Sequence, residues 1–94
     1  MLYVLICEDK PDSLSLRLAN REKHLAYAAT LNEKIRLAGP MLADDGETMI
    51  GSLFIIEAES RDEVVRINAD DPYTLAGLFA RVTVRPFRQV LPAP

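Results

Sequence analysis

Apolar residues fall in two different rhythms along this chain. Leu2 to Cys7 (LYVLIC) is a short run rich in β-branched and aromatic residues, closed by the charge of Glu8 and by Pro11, which predicts a strand and then a turn. From Ser13 to about Asn32 the spacing changes. Leu14, Leu18, Leu25 and Ala29 fall within about 60° of one another at 100° per residue, predicting a helix with one apolar stripe. Lys34 to Leu42 carries Ile35, Leu37 and Met41 around the breaker Gly39-Pro40, the pattern of a short edge strand kinked or bulged at its middle.

Asp44-Asp45-Gly46 is a tight-hairpin signal, and Met49 to Glu57 (MIGSLFIIE) returns as a third strand antiparallel to the second. Ser60 with Glu63 forms a capping box ahead of Val64, Val65 and Ile67, so a second, short helix starts there and ends before Asp70. Asp71-Pro72 sets a good N-cap residue before a proline suited to the first helical position, which predicts a helical turn through Tyr73, Leu75 and Ala76, stopped by Gly77. From Leu78 to Phe87, Val82 and Val84 alternate with Arg81, Thr83 and Arg85, as in a half-exposed strand. The tail Leu91 to Pro94 is expected to be loose.

This order, β-α-β-β-α-β, predicts a single α+β domain over residues 1–94 with a ferredoxin-like split-βαβ topology, both helices lying on one face of an antiparallel sheet. Strands 1 and 3 are then central, and their continuous apolar character calls for cover on both faces. Two short helices cover only one. The other face would expose a set such as Tyr3, Leu5 and Cys7, or Leu53 and Ile55, a larger apolar patch than monomers usually leave bare. A second copy of the sheet is the simplest cover, which predicts a two-fold homodimer with room for a small ligand between its layers.

Composition narrows the function classes. Fourteen acidic and 11 basic residues give a net charge of -3 with no cluster of Lys and Arg, which argues against a nucleic-acid partner. No segment approaches the roughly 20 apolar residues that cross a bilayer, and the first residues lack the basic stretch of a signal peptide, so a cytoplasmic protein is expected. Cys7, the single cysteine, lies in an apolar run and reads as a buried, inert thiol.

The chemistry rests on few side chains. His24 is the single histidine and falls about 80 to 100° from the centre of the leucine stripe at 100° per residue, on the boundary between core and solvent. It is either a partly exposed residue of an amphipathic helix or a residue that reaches a pocket, with Arg21 and Tyr27 near it. Asp71 is either a plain helix cap or a carboxylate that orients an imidazole, and Asp70 competes with it for the cap. Arg81 and Arg85 read as solubilising charges of an edge strand, and Tyr27 and Tyr73 as packing residues with a wet hydroxyl. No G-x-S-x-G elbow and no paired metal-ligand spacing is present, so neither a metal nor a cofactor is expected.

The run Arg21-x-x-His24-Leu25-x-Tyr27, then Gly39-Pro40, then Asp71-Pro72-Tyr73 with Ala76-Gly77, resembles in order and approximate spacing the pattern of the YciI-like (YCII-related) family. The resemblance implies a dimeric α/β barrel and a His/Asp active site at His24 and Asp71; beside that pair, Arg21, Tyr27 and Tyr73 are expected to bind the substrate. A His/Asp pair suits proton transfer in a lyase, isomerase or hydrolase acting on a small acidic or carbonyl-bearing molecule. The alternative is a ligand-binding or accessory module of the same shape that performs no chemistry.

Overall fold

The computed structural model describes all 94 residues. The elements in chain order are β1 (Leu2–Asp9), α1 (Leu14–Ala29), β2 (Ile35–Leu42), β3 (Met49–Glu57), α2 (Arg61–Ala69), α3 (Pro72–Leu75) and β4 (Phe79–Phe87). The four strands form one antiparallel sheet in the order β2-β3-β1-β4, the ferredoxin-like arrangement, with β1 and β3 central and β2 and β4 at the edges. No helix is long and apolar enough to cross a membrane.

Paired residues of an antiparallel sheet share a face, so the register shows what the helices cover. Tyr3, Leu5 and Cys7 lie opposite Ile56, Phe54 and Ser52. These six are buried, and all but Ser52 belong to a core cluster completed by Ala58, Val84 and Val64 of α2. The row Tyr3, Leu5, Cys7 is therefore the helix-covered one, not a candidate for the open face. The open face carries Val4 opposite Ile55 and Ile6 opposite Leu53, all half-buried.

The largest departure from the sequence pattern is the rotation of α1. Leu14, Leu18 and Leu25, read above as the core stripe, are 39%, 53% and 48% exposed, while Arg17 and His24 are buried at 2% and 8%. The physical reason lies in the partners. Asp9, Ser52 and Asp71 are themselves buried or nearly so, and only this rotation brings α1 donors against them. Unpaired, such groups would each cost several kcal/mol, roughly what a buried leucine returns or more.

Local signals account for the remaining turns. Ser60 Oγ accepts the Glu63 N–H at 3.3 Å, and Glu63 Oε1 reaches back to the N–H of Glu59 at 2.8 Å, a capping box shifted by one residue. Gly77 follows α3 with φ +77°, a conformation that glycine adopts without strain. Gly39-Pro40 continues the β2–β3 ladder without a break. The irregularities fall on either side, between Ile35 and Leu37 and between Met41 and Leu42, and not at the middle of the strand. An edge strand tolerates a proline there because the missing N–H can face away from the ladder.

Candidate active site

His24 projects from the sheet-facing side of α1 toward the start of α3. Its Nδ1 lies 2.9 Å from Asp71 Oδ1 and 3.0 Å from Oδ2, and both residues are buried. A carboxylate only accepts, so the proton sits on Nδ1, which donates to Asp71. Nε2 has no protein hydrogen-bond partner, and in the neutral imidazole with this tautomer it carries the lone pair. Asp71 Oδ1 also accepts the Tyr73 N–H at 2.9 Å, which caps α3. The capping and orienting roles weighed for Asp71 are thus held by one side chain, while Asp70 ends α2 as its C-cap.

The imidazole plane is fixed from two directions. Tyr73 stacks on it with centroids 4.0 Å apart and planes 14° from parallel, and Phe54 meets it edge-on at 6.0 Å. The Arg17 guanidinium lies 4.5 Å from the centroid of the same Tyr73 ring. Burial raises the Tyr73 phenol, Arg17 and Arg21 pull it back, and Asp71 adds to the rise; the net shift is upward, so the phenol stays protonated.

A second buried polar group, which the sequence reading passed over, adjoins the first. Arg17 donates from Nε and Nη2 to the two oxygens of Asp9, at 2.8 and 3.1 Å, and from Nη2 to Ser52 Oγ at 2.8 Å. Burial works against the guanidinium charge, but the bond and charge of Asp9, with help from Tyr73, more than offset it and hold the Arg17 pKa above its ordinary value. Because Ser52 Oγ accepts from Arg17, its own hydrogen is free to donate elsewhere.

These groups line a cavity of about 100 Å³ between α1 and the β2–β3 hairpin, into which Arg17, Arg21, His24, Ser52, Phe54 and Tyr73 all reach. Arg21 is exposed at its edge and forms no ion pair. Tyr27 is elsewhere: three residues on from His24, it points toward α2, where its hydroxyl donates to the Ile67 carbonyl at 2.8 Å. Arg81 and Arg85 are exposed on β4, and Arg81 comes no closer than 3.7 Å to Glu8. No group of three or more His, Cys, Asp or Glu side chains is placed to hold a metal ion. Cys7 is fully buried beneath the site and donates to Asn68 Oδ1 at 3.4 Å. Burial first, and then the Asp71 and Asp9 charges against that of Arg17, push its thiol up to about 12.

Comparison with known proteins gives one consistent result. The family model of the YCII-related domain matches residues 1–88. Protein YciI of Escherichia coli O6:H1 is 41% identical over 97 residues, covering 96% of this chain and 99% of that protein. Among solved structures, the 5-chloro-2-hydroxyhydroquinone dehydrochlorinase TftG of Burkholderia phenoliruptrix AC1100, in complex with 2,5-dihydroxybenzoquinone, superposes with a TM-score of 0.87 at 42% identity over 94% of both chains. An antibiotic biosynthesis monooxygenase, 15% identical, shares the fold with a TM-score of 0.55 over 96% of this chain and 99% of the other.

Proposed function

The chain belongs to the YCII-related family, and on that premise we propose that it is a small-molecule enzyme of the lyase or isomerase type, working by proton transfer at His24. The observation that carries this reading is the pairing of His24 Nδ1 with both oxygens of Asp71, which leaves Nε2 as an unpartnered base at the cavity. Similarity to a dehydrochlorinase supports a hydroxylated ring as the substrate.

In this scheme Nε2 takes the proton of a ring hydroxyl, and Asp71 balances the imidazolium that results. The free hydrogen of Ser52 donates to the developing oxyanion, its oxygen polarised by Arg17, whose own charge Asp9 neutralises. Arg21 meets the anion from the cavity edge and Tyr73 holds the imidazole plane. Return of the proton to a ring carbon completes a tautomerisation. If that carbon bears chloride, the C–Cl bond breaks with its electron pair, a second hydroxyl proton is lost, and a quinone remains. The net change is loss of HCl, with no oxidant required.

The test is turnover of 5-chloro-2-hydroxyhydroquinone, followed as chloride released, in the wild type and His24→Gln. A general acid–base contributes about 10²- to 10⁴-fold, and a loss on that scale is expected. Turnover unaffected by His24→Gln overturns the scheme. Binding of the ring without turnover in the wild type identifies instead the non-catalytic ligand-binding module.

We further propose that a second copy of the chain covers the open sheet face. Val4, Ile6, Leu53 and Ile55 form a continuous apolar patch there, on the face away from the three helices. Sedimentation should give twice the 10.5 kDa of one chain, and Ile55→Lys should halve it. A wild type that sediments as one chain refutes the dimer.

A further inference from the structure

The ladder between β2 and β3 slips by one residue close to the candidate active site. Met41 lies opposite Gly51 but Leu42 lies opposite Met49, so Ile50 has no partner on β2. An extra residue of this kind re-aims the side chains that follow it, because strand faces alternate with every residue. In an unbroken ladder Ile50 would share the helix-covered face with Ser52 and Phe54, and Met49 would lie on the open face. The bulge shifts Met49 to the helix-covered side, where it lines the cavity that holds His24.

Met49 also lines a second cavity of about 340 Å³ at the β1–α1 turn, whose walls include Asp9, Pro11, Leu14 and Ile50. It is the one residue that the two cavities share. The Arg17–Asp9 pair joins them a second time, with Arg17 in the first wall and Asp9, 2.8 Å away, in the other. The first compartment, about 100 Å³ and open on one side, is on the scale of the ~150 Å³ that houses a benzene ring. A fused pair of rings or a ring with a bulky apolar substituent needs more.

We propose that Met49 sets the size of molecule the site accepts: its side chain divides the ring compartment from the cavity at the β1–α1 turn, so the site takes a single six-membered ring. Shortening it joins the two and admits a fused or apolar-substituted ring against the walls of Pro11, Leu14 and Ile50. This rests on the reading that a ring binds beside His24. An unbranched thioether fills such an irregular gap well, and removing it opens space without touching any hydrogen bond of the His24 or Arg17 groups.

The test compares wild type, Met49→Ala and the volume-conserving Met49→Leu in titrations with 2,5-dihydroxybenzoquinone and the two-ring 2-hydroxy-1,4-naphthoquinone. Met49→Ala should gain about tenfold or more in affinity for the naphthoquinone, the scale of a hydrophobic-pocket change of this size. Met49→Leu should not, and the single ring should bind all three proteins alike. A ligand-free crystal structure of Met49→Ala should show one cavity running from His24 to Asp9. If the single ring binds but Met49→Ala gains nothing for the naphthoquinone, or if the two cavities stay separate in that crystal structure, the proposal is overturned. If the single ring binds none of the proteins, the ring-binding reading fails, and the crystal structure still decides whether Met49 is the divider.

Discussion

Replacing Asp9 by asparagine should destabilise this protein more than its place at the very end of β1 suggests. The Asp9 and Arg17 side chains are 5% and 2% exposed, and Arg17 spends two donors on the carboxylate. In Asp9→Asn the guanidinium keeps its charge in the interior, loses its counterion and faces an amide that donates where a carboxylate accepted. Breaking a buried pair by removing one partner costs about 3–5 kcal/mol. A domain of this length has a total stability of roughly 5–14 kcal/mol, so about a fifth or more of the margin is at stake. Arg17→Met should cost as much, since Asp9 is then the buried unpaired charge and Ser52 loses its donor. The double variant should lose hydrogen bonds but strand no charge, at about 1–2 kcal/mol. Urea unfolding at one fixed protein concentration measures all four members of the cycle, with Tm falling about 4–8 °C per kcal/mol as a check. Either single variant within about 1 kcal/mol of wild type, or a double variant that costs as much as the two singles together, refutes the buried-pair reasoning.

Three further outcomes follow from the same geometry. Tyr27→Phe removes the bond to the Ile67 carbonyl and should cost about 1 kcal/mol in urea unfolding without altering turnover; a loss of turnover would return Tyr27 to the site. Gly51→Ala places a methyl 2.5 Å from both the Cys7 carbonyl oxygen and Met41 Cε. The methionine can yield and the backbone cannot, so a cost of about 1–3 kcal/mol is expected, and a neutral substitution contradicts the β1–β3 register. Folded protein keeps the Cys7 proton up to about pH 12, whereas the unfolded chain releases it near the ordinary value of 9.0. Stability should therefore fall as pH rises above about 9, by ~1.4 kcal/mol per unit from this group, with the raised Tyr27 and Tyr73 phenols adding in the same direction above their ordinary 10.0. Cys7→Ala should flatten part of that slope in urea midpoints taken from about pH 8 to about pH 11, and an unchanged slope counts against it.

The order of the elements was legible because each period was clear: continuous apolar strands at β1 and β3, capping chemistry at Ser60 and Asp71, and hairpin chemistry at Asp45-Gly46. Helix α1 was misread for a physical reason. Apolar periodicity finds the core face only where burial is driven by apolar contact, and α1 is turned by an ion pair and a hydrogen-bonded imidazole. The signal that could have found this side is polar: Arg17, Arg21 and His24 recur at helical spacing on one side of α1. Ser52 and Asp9 were legible in the same way. Ser52 continues the buried row of Phe54 and Ile56, and Asp9 that of Tyr3, Leu5 and Cys7. A polar residue in the inward register of a central strand calls for a partner. That the partner is Arg17, 35 residues from Ser52, follows from the packing of α1 and from no local pattern.

Proton transfer at this site depends on which nitrogen of His24 carries the proton. One histidine gives one set of ring resonances, so two-bond ¹H–¹⁵N correlations on the neutral imidazole read the tautomer directly, in the wild type and in Asp71→Ala. The Nδ1–H form in the wild type, giving way to the Nε2–H form or a mixture once the carboxylate is removed, is the predicted result. An Nε2–H tautomer in the wild type would put a donor where the proposed base must have its lone pair, and would contradict the account.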